Sequence, residues 1–118
     1  MTESAKYAKI AYDALADKKG ENIKIIDISG VSPMADYFII ADGANPNQLQ
    51  AMCDAVDEAL HEAGCQLKQT EGNRNSTWIL MDYTDIIVHV FSREDRRFYD
   101  LERVWRDGRI VDIKELEA

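Results

Sequence analysis

The sequence has few of the residues that cross-link a chain or bind a metal. Its 118 residues include two cysteines and two histidines. Cys53 and Cys65 do not form a C-x-x-C pair, and no histidines cluster beside them. This pattern predicts neither a disulfide framework nor a structural zinc site, and two isolated thiols are typical of a reducing compartment.

Long apolar runs and flexible linkers are also missing. No stretch approaches the roughly 20 apolar residues that a membrane helix needs. The first residues, M-T-E-S-A-K-Y, contain no apolar core of a signal peptide, so we expect a cytoplasmic protein. No segment rich in proline or glycine divides the chain, and its length suits one domain over residues 1–118.

Positive charge is scarce. Fourteen lysines and arginines face 22 aspartates and glutamates, which gives a formal net charge of -8. Phosphate backbones repel such a chain, so direct nucleic-acid binding is not expected as its main mode. The acidic surface instead favours a macromolecular partner that presents a basic surface.

The order of elements predicts an α+β fold. Asn45 suits a helix N-cap, Pro46 the first helical position and Gln48 the reciprocal bond of a capping box. The order α-β-β-α-β-β-β-α describes an α/β sandwich, with a mixed sheet of about five strands flanked by helices. The predicted helices cover residues 4–19, 45–63 and 92–107, and the predicted strands cover residues 23–28, 37–41, 65–70 and the two halves of 78–91.

The stretch W-I-L-M-D-Y-T-D-I-I-V-H-V-F, residues 78–91, predicts a β-hairpin that is apolar on both faces. With Tyr83 and Thr84 as its loop, Asp82 faces Asp85. One face is aliphatic and belongs in the core. The second face contains Trp78, Leu80, Ile87, His89 and Phe91.

Three different structures could pack against this second face and bury it. A helix of the same chain is one, since covered strands are often apolar throughout. A partner protein is another, because Trp-centred patches are typical binding hot spots. A second copy of the chain, in a homodimer, is the third.

The aspartates of the hairpin turn raise an enzymatic alternative. Asp82 and Asp85 could hold Mg²⁺ for nucleotidyl or phosphoryl transfer. Such a site also needs a glycine-rich phosphate loop before a helix, and Gly43 is an isolated glycine. Aspartates beside a turn are commonly turn formers, so we predict no catalytic residue, metal or cofactor.

Several stretches together resemble the Iojap-like ribosomal silencing factors. They are D-Y-F-I-I-A at 36–41, E-G at 71–72, the hairpin at 78–91 and R-x-F-Y-D-L-E-R-V-W at 96–105. The resemblance covers about residues 5–110 in order. It departs from the family pattern at Asp42, Asn45, Asn47 and Thr84; the family usually has glycine at the last position, in a turn that needs a positive φ.

The resemblance implies a fold related to nucleotidyltransferases that lacks their catalytic apparatus. It also implies a translational repressor that binds the large ribosomal subunit through its protein number fourteen, blocks joining of the small subunit when nutrients are short, and has a possible role in large-subunit assembly. The partner-binding residues expected on this basis are the apolar anchors Trp78, Leu80, His89 and Phe91, the acidic Asp82 and Asp85, the rim residues Glu71 and Tyr83, and also Arg97 and Tyr99.

Overall fold

A computed structural model describes residues 3–30, 33, 35–72, 77–93 and 108–116. Among these residues, no helix is long and apolar enough to cross a membrane. The elements are helix α1 (Glu3–Asp17), strand β1 (Glu21–Asp27), strand β2 (Tyr37–Gly43), helix α2 (Pro46–Glu62), strand β3 (Gln69–Glu71), strand β4 (Trp78–Asp82), strand β5 (Ile86–Ser92), strand β6 (Arg109–Val111) and a 3-10 helix (Ile113–Leu116).

The strands form one mixed sheet in the order β3-β4-β5-β2-β1-β6. β2 and β5 are parallel, and the other neighbours are antiparallel. The predicted α+β class is therefore confirmed, but the sheet has six strands and not five. β6 was missed because three residues are too few to show an alternating pattern. The predicted last helix lies almost entirely outside the described residues.

Helix α2 begins where the sequence predicts. Asn45 accepts a hydrogen bond from the backbone N–H of Gln48 at 2.8 Å, and Pro46 is the first helical residue. The Gln48 side chain accepts in return from the N–H of Ala44 at 2.6 Å, one residue before the N-cap. The helix start is thus satisfied by its own side chains.

The strand predicted at 65–70 is shorter and begins later, at Gln69. Gly64 has a positive φ of 87° at the end of α2, and the N–H of Cys65 donates to the carbonyl of Leu60 at 2.9 Å. This is the bond pattern of a glycine-terminated helix. Cys65 consequently belongs to the helix end, and its side chain is buried in the core.

The hairpin pairs two residues away from the predicted register. Trp78 lies opposite Phe91, Leu80 opposite His89, and Asp82 opposite Ile87 rather than Asp85. The loop is therefore Thr84–Asp85, not Tyr83–Thr84. Because the shift is an even number of residues, each side chain keeps its predicted face.

Thr84 explains the shift. Its φ is 74°, and the N–H of Asp85 donates to the carbonyl of Tyr83 at 2.9 Å across it. This i to i+2 bond with a positive central φ defines a γ-turn, a strained type. Asp82 accepts from the N–H of Thr84 at 2.8 Å and so helps to hold the loop in this form.

The two faces of the sheet differ in their cover. Both α1 and α2 pack on one face, where the main core includes Leu15, Met52, Val56 and Val88. A smaller apolar cluster forms the opposite face, which we call the second face. Its buried members are Ile26, Ile28, Ala35, Phe38, Ile40, Ile87 and Phe91.

Candidate partner-binding surface

The centre of the second face is closed to solvent. Phe91 is 1 % exposed and His89 is 4 % exposed. These two side chains, expected as partner contacts, therefore lie beneath the surface and cannot present area to a partner without rearrangement. Trp78 and Leu80 are only partly buried and pack against the same cluster.

An aromatic cluster fixes the position of Trp78. Its indole stacks on Phe91 with ring centroids 5.1 Å apart and 24° between the planes. The indole N–H donates to Nδ1 of His89 at 3.2 Å. Phe38 meets the other side of His89 edge-on at 4.7 Å. The tryptophan is thus held rigidly, with a polar handle directed inward and part of its ring exposed.

His89 is a neutral structural histidine. Because Nδ1 accepts from Trp78, the ring proton is on Nε2, and this atom is buried without a hydrogen-bond partner among the described residues. Burial lowers the pKa of His89 to about 4, since the apolar surroundings disfavour the charged ring. At neutral pH the ring supplies shape and one acceptor rather than charge.

The second face is exposed at both edges of the sheet. At the β6 edge Ile110, opposite Ile26, is 54 % exposed; at the β3 edge the exposed part is a strip that contains Trp78. Glu71 lies directly opposite Leu80, and Gln69 lies opposite Asp82. Directly opposed residues share a face, so the side chains of β3 border those of β4. We call Gln69, Glu71, Trp78, Leu80 and Asp82 the β3–β4 strip: an apolar centre between two carboxylates.

Gln69 was not among the expected site residues. Its position two residues before Glu71 was the available signal, because residues i and i+2 of a strand share a face. The signal was hidden since the strand was predicted to begin at residue 65.

Tyr83 and Asp85 lie elsewhere. Tyr83 is 2 % exposed on the helical side and donates its hydroxyl to Asp57 at 2.9 Å, so its expected rim position is wrong. Tyr83 is two residues from Met81, and side chains two residues apart on a strand lie on the same face, so Tyr83 lies on the core side with Met81. Burial and then the bond to Asp57 raise the pKa of Tyr83. Asp85 is partly exposed in the loop. Arg97 and Tyr99 lie outside the described residues.

The geometry does not assemble a phosphoryl-transfer site around the turn aspartates. Within the described part of the chain, no group of three histidine, cysteine or carboxylate side chains is placed to hold a metal ion. The start of α2 is already occupied by Gln48, and a Cβ on Gly43 would lie 2.9 Å from Leu49. Gly43 therefore serves close packing against α2 and leaves no cradle for a phosphate.

Comparisons with known proteins agree with one another. The sequence model of the family described as "Ribosomal silencing factor during starvation" matches residues 1–118. The chain is 39 % identical over 105 residues to a ribosomal silencing factor of Bacillus subtilis, covering 89 % of each chain. It is 34 % identical over 106 residues to that of Halalkalibacterium halodurans, covering 90 % of this chain and 91 % of the relative.

Solved structures share the fold. A crystal structure of a Chromobacterium violaceum protein superposes with a TM-score of 0.84 at 34 % identity, covering 88 % of this chain and 87 % of that one. A Bacillus halodurans structure gives 0.77 at 33 % identity, covering 87 % of this chain and 93 % of that one. With the family match along its whole length, the chain belongs to the ribosomal silencing factors.

Proposed function

We propose that the protein represses translation by binding the large ribosomal subunit and sterically blocking the small subunit from joining it when nutrients are limiting. The partner on the large subunit is its basic protein number fourteen. Family membership and relatives named as ribosomal silencing factors support the ribosomal role. This mechanism needs affinity and bulk, and no catalytic step or cofactor.

The observation that carries the proposal is the β3–β4 strip. Leu80 and the exposed part of Trp78 form an apolar centre, and Glu71 and Asp82 flank it. An aromatic anchor flanked by carboxylates complements a basic protein surface that presents an apolar side chain. The rigid support from His89 and Phe91 lowers the entropy that docking would otherwise lose.

A role in assembly of the large subunit is part of the proposal. A mouse relative is named "Mitochondrial assembly of ribosomal large subunit protein 1" and is 24 % identical over 94 residues, covering 77 % of this chain and 41 % of that protein. The same surface can serve both roles, because a factor that occupies the joining face of an immature large subunit also keeps it from premature use.

The direct test is co-sedimentation with isolated large subunits, followed by a subunit-joining assay. We expect binding at low-micromolar concentration or tighter, and fewer joined ribosomes as the factor is titrated in. Absence of co-sedimentation at that concentration would remove the proposal. Co-sedimentation without inhibition of joining would remove the blocking mechanism alone.

Leu80→Ala tests the site more cleanly than a change at Trp78. Trp78 holds the aromatic cluster through its stack and its hydrogen bond, so its loss would disturb folding. Truncating an anchor of this kind typically weakens binding by about tenfold or more. Leu67→Ala is the matched control, since Leu67 is 37 % exposed and lies outside the strip. Equal affinity of the Leu80 and Leu67 variants would overturn the assignment of the strip.

A further inference from the structure

A second surface lies on the helical layer, on the side of the sheet away from the strip. Helices α1 and α2 run antiparallel there, since Gln48 near the start of α2 donates to the carbonyls of Lys18 and Lys19 at the end of α1. Between them is a groove of about 530 Å³. Its lining residues are Ile10, Asp13, Ala14, Asp17, Lys18, Ala55, Glu58, Ala59 and Glu62.

The floor of the groove is small and apolar. Ala14, Ala55 and Ala59 are partly buried, and Ile10 closes one end. Short side chains at a contact let a second helix approach closely. The groove follows α1 from Ile10 to its end at Asp17, seven steps along the helix, or about 10 Å at 1.5 Å per residue. This length accommodates two turns of a partner helix.

The walls of the groove are acidic and poorly compensated. On α1, Asp13 and Asp17 stand four residues apart, and Lys9 forms an ion pair with Asp13 at 2.6 Å. On α2, Glu58 and Glu62 stand four residues apart and repel each other. Asp17, Glu58 and Glu62 form no ion pair in the part of the chain that the structure describes. Helix α2 contains no lysine or arginine in its 17 residues.

We infer that this groove docks an amphipathic α-helix of a partner protein, with small or aliphatic side chains in its centre and lysines or arginines on both flanks. The flanking cations would pair with the carboxylates of both walls while the apolar stripe covers the alanine floor, which is the helix-in-groove mode of recognition. A second copy would add its own charge of -8 and a nucleic acid its phosphates, so charge disfavours both. The inference does not depend on the proposed function.

The test uses a synthetic 18-residue peptide of alanine, leucine and lysine. Leucine and alanine form one helical stripe, lysine flanks it on both sides, and a scrambled peptide of identical composition lacks the stripe. Fluorescence anisotropy at 0.15 M salt measures binding to the full-length protein. We expect saturable binding of the striped peptide and at least tenfold weaker binding of the scrambled one. No saturable binding, or equal binding of both peptides, would overturn the proposal.

Variants separate docking from general attraction. Glu58→Gln/Glu62→Gln removes two charges from one wall, and we expect about tenfold weaker binding. The control Glu3→Gln/Glu115→Gln removes two exposed charges outside the groove, and we expect a change within about twofold. If the control weakens binding as much as the groove pair, only the overall charge acts and the proposal fails.

Filling the floor tests the apolar contact without changing charge. Ala59→Met places a larger side chain in the groove, and we expect about tenfold weaker binding of the striped peptide. Ala55→Met is the second variant should the first fail to fold, as circular dichroism would show. Unchanged affinity in a folded variant overturns groove docking. Sedimentation that reveals a dimer broken by the same substitution would assign the groove to a second copy and equally overturn it.

Discussion

His89 shows how a single buried side chain can look functional in the sequence and be structural in the fold. A histidine between valines on a strand suggests chemistry. Its Nδ1 instead accepts the indole N–H of Trp78, and aromatic rings enclose it. It positions the exposed part of Trp78 within the strip, so its contribution to the proposed binding would be indirect.

The depressed pKa of His89 predicts a pH dependence of folding. The folded pKa is about 4 and the unfolded pKa about 6.5, so between these values the unfolded chain binds the extra proton. The neutral ring's stabilisation is complete above pH 6.5 and is lost as the pH falls toward 4. Linkage gives a loss of about 1.5 kcal/mol from pH 6.5 to pH 5.

Urea denaturation at several pH values measures this loss. His89→Gln should flatten the slope over that interval, whereas His61→Gln, at an exposed site on α2, should keep it. A slope unchanged by His89→Gln would show that other groups titrate instead.

Thr84 predicts a stabilising substitution. A β-branched residue at a φ of 74° is strained by about 1–2 kcal/mol, and glycine removes that strain while adding about 0.5–1 kcal/mol of unfolded-state entropy. Thr84→Gly should therefore raise stability by about 0.5–1 kcal/mol, a Tm increase of about 3 °C. Thr84→Ala retains the Cβ and should gain less. A lower Tm for the glycine variant in calorimetry would contradict the strain argument.

At the scale of elements, the predictable parts were those with local chemical signals. Asn45 and Pro46 fix the start of α2 through bonds that span only a few residues. Strand β6 has no such signal, because its three residues are held by pairing with β1, more than 80 positions earlier in the chain. The hairpin faces followed from alternation, but its register depended on the unusual turn at Thr84.

The same reasoning explains which site residues could be predicted. Four of the predicted site residues, Glu71, Trp78, Leu80 and Asp82, lie together in the strip. They share one face because alternate residues of a strand share a face and because β3, β4 and β5 are neighbours in the sheet. The burial of His89 and Phe91 could not be read locally, since it depends on how the sheet is covered. Tyr83 was predicted at the rim because it was assigned to the hairpin loop. It instead continues the alternation of β4, which places its side chain on the core side.

Gln48 joins the two helices and predicts a loss of stability when truncated. Its side chain accepts from the N–H of Ala44 and donates to the carbonyls of Lys18 and Lys19. Gln48→Ala should lower the free energy of unfolding by about 1–2 kcal/mol. Gln50→Ala is the control because the Gln50 side chain donates to Asp54 within α2 and does not join the two helices. Urea melts that give equal losses for the two variants would contradict this role.

At the scale of the whole molecule, the charge distribution fits both of the proposed contacts. The strip on the second face and the groove on the helical layer both combine an apolar centre with carboxylates. They lie on opposite sides of the sheet, so both could be occupied at once. A chain of net charge -8 is then suited to bridge basic proteins rather than to bind nucleic acid.

Net charge also predicts how association with the proposed partner, the basic protein number fourteen, responds to salt. Long-range attraction to a basic protein acts on the association rate, and raising salt from about 0.05 to 0.3 M shortens the Debye length from about 14 to 6 Å. The association rate constant should fall about tenfold, with a smaller change in dissociation. Surface plasmon resonance with the isolated protein number fourteen, immobilised without ribosomal RNA, separates the two rates.

Substitutions at the strip separate the electrostatic effect on the association rate from the apolar effect on the dissociation rate. Glu71→Gln/Asp82→Asn keeps the acceptor that Asp82 offers to the N–H of Thr84 and removes two charges, so it should lower the association rate and its salt dependence. Leu80→Ala should instead speed dissociation, because it removes apolar contact made only after docking. Glu3→Gln/Glu115→Gln, whose carboxylates lie outside the strip, should change both rates little. If this control pair slowed association as much as the strip pair, the attraction would come from total charge, and the strip would have no special part in steering the encounter.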